Sequence, residues 1–267
     1  MIDKLSLTTF RSPDKEYLEL WGTLTEDKYR AKLYRDMYSL DKAVVSYYPH
    51  KFSEIVNMQI PSTKIDINPK NFECFNHMIA YICSIFGTSD IRLEEFNVTR
   101  ADLAADIEDF PIGIILCILH VQKIRSDGFS FFKGTVYAGS DPKIRIYDKT
   151  KHLKAIMRKG YKPTEYEKRL LTSDKSYTRF EVQKRHLKMN LKQFGDNPLC
   201  TLHYFDNLDI FNFEDGFNSG VLQQIYRLIP RKSRNLLDQY KNKNIIEEIK
   251  NQCRDSVADW LSDKQPF

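Results

Sequence analysis

The 267-residue chain has no Cys-x-x-Cys pair, no leader-like amino terminus and no long apolar run. Its five cysteines, Cys74, Cys83, Cys117, Cys200 and Cys253, are odd in number and scattered. That pattern argues against a disulfide framework or a thiolate zinc site, and it fits reduced thiols. The longest apolar candidate, Ile112–Leu119, stops at His120, well short of the ~20 residues that span a bilayer. The amino terminus lacks the charged-then-apolar order of a signal peptide. These absences predict a cytoplasmic protein that does not enter a membrane.

What is present is enough for a folded core. Hydrophobic residues make up 42% of the chain and aromatics 13%, which excludes global disorder. The length suits one large domain or two small ones. Net charge is +5, unevenly spread. From Lys133 to Gly195 there are 17 Lys+Arg against 6 Asp+Glu, leaving 24 against 30 elsewhere. A basic segment inside an otherwise acidic chain points to a localised polyanion-binding surface, against the plainer alternative of a solvated helical face.

Hydrophobic periodicity predicts a strand-rich first 65 residues, with strands at Leu5–Phe10, Tyr17–Leu24, Tyr29–Met37, Val44–Tyr48 and Ile55–Ile60. A helix follows, with Asn68 and Pro69 at its start, an apolar stripe of Phe72, Phe75, Ile79, Ile82 and Phe86, and Gly87 at its end. Next come a strand near Val98–Ile107, a buried helix from Pro111 to Gln122, and strands at Phe129–Tyr137 and Ile144–Lys149. Thr164 and Glu167 stand at capping-box spacing for a helix over Pro163–Leu171. A strand covers Tyr177–Arg185, and the tail from Ser219 reads as helical. The fold class expected is α+β: a central antiparallel sheet with helices on one face, in two similar halves, followed by C-terminal helices.

Three strands carry matching polar faces. Period-two alternation puts Lys143, Arg145, Tyr147 and Lys149 on one side of β-stretch KIRIYDK, with Ile144 and Ile146 on the other. In VTRADLAADI, Arg100, Asp102, Ala104 and Asp106 share a face; in YTRFEVQKR, Arg179, Glu181, Gln183 and Arg185 do. Carboxylates converging from different strands suit a hard divalent cation such as Mg²⁺ or Mn²⁺. Asp102 and Asp106 lie roughly 13 Å apart on an unbulged strand, so Glu181 with one of them is the expected pair. Tyr147, among the cations Arg145, Lys149 and Arg179, is the expected nucleophile at phosphorus. Each piece alone is more often structural: a strand tyrosine packs, and Arg-x-Glu on a strand forms cross-strand ion pairs. Their concurrence in one basic segment favours chemistry. The six histidines, at 50, 77, 120, 152, 186 and 203, are isolated and read as structural, with His186 the one beside a basic strand end.

Four stretches, Thr99–Asp106, Gly134–Ser140, Arg145–Lys149 and Arg179–Gln183, taken in order, resemble the motifs of the replication initiation factor family. That family comprises rolling-circle plasmid initiators and related conjugative-element relaxases. The resemblance covers about a third of the chain. It implies a metal-dependent DNA endonuclease that nicks one strand, holds the 5′-phosphate on tyrosine and later rejoins the ends. The positions carried over are Tyr147 as nucleophile, with Asp102, Asp106 and Glu181 as acidic metal ligands; the residues themselves suggest Arg100, Lys143 and Arg185 as DNA contacts. The resemblance also implies a rearranged relative of the HUH endonuclease fold, although this chain has no His-x-His pair. Implied partners are single-stranded or hairpin DNA at an origin, a host helicase and a second copy of the chain. On this reading residues 1–195 form the nicking domain and 196–267 a helical C-terminal region. The alternatives are a conjugative relaxase, a metal nuclease using water, and a non-catalytic DNA-binding protein.

Overall fold

The structure, a computed structural model, describes residues 1–25, 34–49, 60–110, 115–119, 129–132, 134–212 and 243–262. The chain is α+β, built on antiparallel strands with several helices, the last near its carboxyl end. It divides into two compact units that interleave along the sequence. The first comprises Ile2–Asp102, Arg185–Cys200 and Ser256–Phe267; the second comprises Met1, Leu103–Lys184 and Thr201–Asp255.

The first unit opens with β1 (Ile2–Thr9), α1 (Lys15–Trp21), β2 (Thr23–Leu24), β3 (Tyr34–Ser39), β4 (Ala43–Pro49) and β5 (Thr63–Ile67). Its strands pair in the order β2-β3-β4-β5-β1, with Leu5 opposite Ile67 and Leu7 opposite Ile65. Val45 lies opposite Ile65 on β4. These alternate residues are almost wholly buried, so a period-two apolar face builds the sheet as expected. The strand expected over Tyr17–Leu24 is a strand only at its end, β2; up to Trp21 it is helix α1: the Asp14 side chain accepts the Tyr17 N–H and caps it, and Leu18 is its buried residue. The strand expected at Ile55–Ile60 lies outside the described residues except Ile60, which is in no strand. Strand β5 follows it unforeseen.

Helix α2 (Phe75–Ile85) begins later than expected, after a short 3-10 turn over Pro69–Asn71. Its buried line is Met78, Ile82 and Ile85. Gly87 ends it with φ +60°, and a Cβ there would meet the Asp14 carboxylate at 2.5 Å, so glycine joins α2 to the α1 cap. Strand β6 (Asn97–Glu108) leaves the first unit between Asp102 and Leu103.

The second unit continues with β7 (Ile115–Leu119), β8 (Phe129–Phe132), β9 (Thr135–Ala138), β10 (Lys143–Asp148), α3 (Lys149–Met157), α4 (Glu165–Thr172) and β11 (Tyr177–Asn190). Within it the order is β6-β11-β10-β9-β8. The buried helix expected over Pro111–Gln122 is a strand in its described part, β7. It pairs with β12 (Leu208–Asn212), Leu119 opposite Leu208 and Ile115 opposite Asn212. Helix α3 was not expected. Asp148 caps it by accepting the Lys151 N–H at 2.7 Å, and Lys149 is therefore a helix residue, not the end of a strand. Helix α4 has the expected capping box of Thr164 and Glu167.

A short helix α5 (Leu191–Asp196), also capping-boxed by Asn190 and Gln193, belongs to the first unit. The last helix, α6 (Lys243–Leu261), buries Ile245, Ile249, Cys253, Val257 and Trp260 at helical spacing. The expected groups at Val221–Leu228 and Leu236–Tyr240 lie outside the described residues. Among the described residues no helix is long and apolar enough to cross a membrane.

Candidate active site

Strand β10 sets the site. Antiparallel register places Lys143 opposite Gln183, Arg145 opposite Glu181 and Tyr147 opposite Arg179 on β11. On β9, Tyr137 stands opposite Arg145 and Thr135 opposite Tyr147. The other face pairs Ile144 with Val182 and Ile146 with Phe180, all at most 1% exposed. The polar face predicted from alternation therefore forms within the second unit, driven by burial of its apolar reverse.

That face is sheltered. Arg179 and Glu181 are at most 1% exposed, Asp106 5%, and Tyr147 8%. Charged groups at such depth must be paired, and these are. Arg179 forks onto Asp106, with Nε 2.7 Å from Oδ1 and Nη2 2.6 Å from Oδ2. Arg145 donates to Glu181 Oε1 from Nε at 3.1 Å and also from Nη2. Lys149 reaches from the first turn of α3 to Glu167 of α4, Nζ to Oε1 2.9 Å. Each of these three carboxylates thus meets a cation.

Helix α4 adds two groups that alternation along strands could not reveal. The Tyr166 hydroxyl donates to Asp106 Oδ2 at 2.9 Å. Glu167 accepts the Tyr161 hydroxyl at 2.7 Å and the Thr164 N–H at 3.2 Å through Oε2. Consecutive residues of one helical turn therefore hold the Asp106–Arg179 pair and the Lys149 ammonium. The capping-box spacing identified Glu167 as a helix start, but its second oxygen and its ion pair carried no local signal. His152, read as isolated, sets its ring edge-on to Tyr147, centroids 5.1 Å apart. The Arg145 guanidinium carbon lies 5.7 Å from the Tyr147 ring centroid.

Electrostatics follow from this packing. Burial works to raise the Asp106 carboxyl, yet the Arg179 guanidinium, helped by Lys149 and the Tyr166 hydroxyl, outweighs it and holds the group below the usual carboxylate range. Tyr166 moves the other way. Burial, then the Asp106 charge and the hydrogen bond to it, push its phenol well above the ordinary value. Tyr166 is thus a neutral donor, not a ready phenolate.

Asp102 belongs to the first unit, where Arg100 two residues earlier forks onto it, Nε to Oδ1 2.8 Å. Lys143 lies over the Tyr137 ring, Nζ 4.7 Å from its centroid, and Arg185 is an exposed residue of the first unit. Among the described residues no group of three His, Cys, Asp or Glu could hold a metal ion. With Asp106 and Glu181 each held by an arginine, the acidic set does not fit Mg²⁺ or Mn²⁺ as it stands. What the face can do is present a tyrosine framed by fixed cations. No protein-family model matches this sequence, and no curated protein matches it either.

Proposed function

We propose that this chain is a DNA nicking and closing endonuclease of the rolling-circle initiator type, with Tyr147 as the nucleophile. One observation carries the reading: the register that sets Tyr147 opposite Arg179, on the same strand face as Arg145, with Lys149 held two residues on. A phenol among cations is suited to a phosphodiester, because neighbouring positive charge favours the oxyanion and offsets charge developing on phosphoryl oxygens.

In the proposed step the Tyr147 oxygen attacks phosphorus and loses its proton to solvent. A bond forms from that oxygen to the 5′-phosphate, the bond to the 3′ oxygen breaks, and the 3′ oxygen takes up a proton. Closing reverses this: a 3′-hydroxyl attacks the phosphotyrosine and restores the tyrosine. Arg145, Lys149 and Arg179 offset phosphoryl charge, while Lys143 contacts the backbone beside them; Arg100 and Arg185 are proposed DNA contacts of the first unit. A conjugative relaxase would use the same chemistry on a different site.

A second reading has its own support. Every carboxylate on the face is matched to a cation, and Tyr147 is 8% exposed, as in a DNA-binding protein whose acids only organise its arginines. The test is incubation with oligonucleotides from inverted repeats beside the gene, in Mg²⁺, Mn²⁺ or chelator, followed by a denaturing gel. The expected result is a protein–DNA adduct that Tyr147→Phe abolishes. Unchanged cutting by Tyr147→Phe would instead mean that water is the nucleophile. Binding without cutting in every condition would establish the second reading.

A further inference from the structure

Helix α3 and the turn after it carry no acidic residue from Lys149 to Thr164. Lys151, Lys154, Arg158, Lys159 and Lys162 are all exposed, and among the described residues none of them pairs with a carboxylate. Several other cations of the second unit are paired. Lys168 pairs with Glu165 one turn away, Lys175 with Glu108, Lys184 with Asp141 and Lys250 with Asp206.

Helix physics explains only part of α3. Arg158 and Lys159 at its carboxyl end suit the helix dipole. Lys151 sits in the first turn, where the dipole favours an acid. Lys151, Lys154 and Arg158 also follow three- and four-residue spacing, which lines up like charges on one face. Helix α4 obeys both rules, with Glu165 and Glu167 in its first turn and Arg169 in its last. Apart from its Asp148 cap, α3 thus carries exposed positive charge that it does not balance, whereas α4 balances its own.

We infer that the exposed face of α3 is a track for the phosphodiester backbone of single-stranded DNA. The stripe from Lys151 to Arg158 covers about 10 Å at 1.5 Å per residue. Three long, flexible cationic side chains along that length can each reach a phosphate of one extended strand. Its start is beside the proposed nucleophile, since His152 packs on the Tyr147 ring. The inference rests on the proposed function for the identity of its partner, not for any chemical step.

The experiment measures binding of a fluorescent single-stranded oligonucleotide of random sequence to the full-length chain carrying Tyr147→Phe, across a salt series. Adding Lys151→Gln, Lys154→Gln and Arg158→Gln together should weaken binding at least tenfold at low salt. The log–log salt slope should become shallower by about 2, because roughly 0.7 counterion is released per phosphate contact on a single strand. Glutamine keeps helix propensity, and a Lys168→Gln, Lys175→Gln control, which removes paired cations, should leave the slope unchanged. An unchanged slope in the triple variant, an equal change in the control, or binding to anionic phospholipid vesicles in preference to the oligonucleotide overturns the track. A wild-type chain that forms no adduct, with the slope effect intact, would remove the nicking reading and leave this one standing.

Discussion

Arg179 and Asp106 form a two-pronged ion pair across neighbouring strands of the second unit, 2.7 and 2.6 Å long and almost wholly buried. Stranding either charge at that depth is costly, about 3–5 kcal/mol. Asp106→Asn and Arg179→Met should each lower unfolding free energy by that order in denaturant titrations. The double substitution should lose less than the sum, which a double-mutant cycle would reveal.

The same pair predicts an acid limb. The folded Asp106 carboxyl lies below its unfolded value of about 3.9. Its contribution is therefore complete above the unfolded value and is lost as pH falls through the lower folded value. Urea midpoints should drop for the wild type below about pH 4, and Asp106→Asn should show a flatter decline there. Equal acid slopes in the two proteins would mean that other carboxylates dominate.

The strand faces around Tyr147 were legible because isoleucine alternation in KIRIYDK and the Phe180, Val182 alternation demand a single register. What alternation could not supply was the pairing of charges. Arg145 meets Glu181 only because β10 and β11 pair antiparallel in that register, and Lys149 meets Glu167 only because α3 and α4 form where one strand end and one helix were expected. Tyr17–Trp21 reads as a strand because its aromatic and aliphatic residues favour strands, while a single aspartate, Asp14, fixes the helix start. Ile115–Leu119 misread as a helix because a short apolar run has no period of its own. Its partner β12 is some ninety residues away.

Glu167 should be far more sensitive to truncation than its position on an exposed helix suggests. Glu167→Ala removes the Lys149 partner, the Tyr161 acceptor and half the capping box together, an expected loss of about 3 kcal/mol or more. Glu167→Gln keeps the capping geometry and should lose less. Equal losses in thermal or urea unfolding would show that the cap and the Tyr161 bond contribute nothing, and no loss in Glu167→Gln would show that the ion pair contributes nothing.

Tyr166→Phe should behave mildly. It deletes one hydroxyl donor from a carboxylate that keeps both arginine bonds, so about 1–2 kcal/mol is expected. Because the wild-type phenol is held well above its ordinary value, spectrophotometric titration up to about pH 11 should give the same number of ionising tyrosines in both proteins. A missing tyrosine in the variant over that range would contradict the hydrogen bond to Asp106.

The arginines also predict how the site treats a divalent cation. A metal seeking Glu181 must compete with a guanidinium already bonded to Oε1, and breaking that contact offsets most of what the new ligand would contribute. Arg145→Gln removes the competitor and leaves Glu181, 0% exposed, without its guanidinium. A buried carboxylate so placed gains from any nearby cation. Mn²⁺ should therefore bind Arg145→Gln at least tenfold more tightly than the wild type, about 1.4 kcal/mol, as read by electron paramagnetic resonance of free Mn²⁺. Glu181→Gln added to the same protein should erase the gain. If the wild type already binds Mn²⁺ as tightly as Arg145→Gln, the guanidinium is not what excludes the ion, and Glu181 is not the ligand that limits its binding.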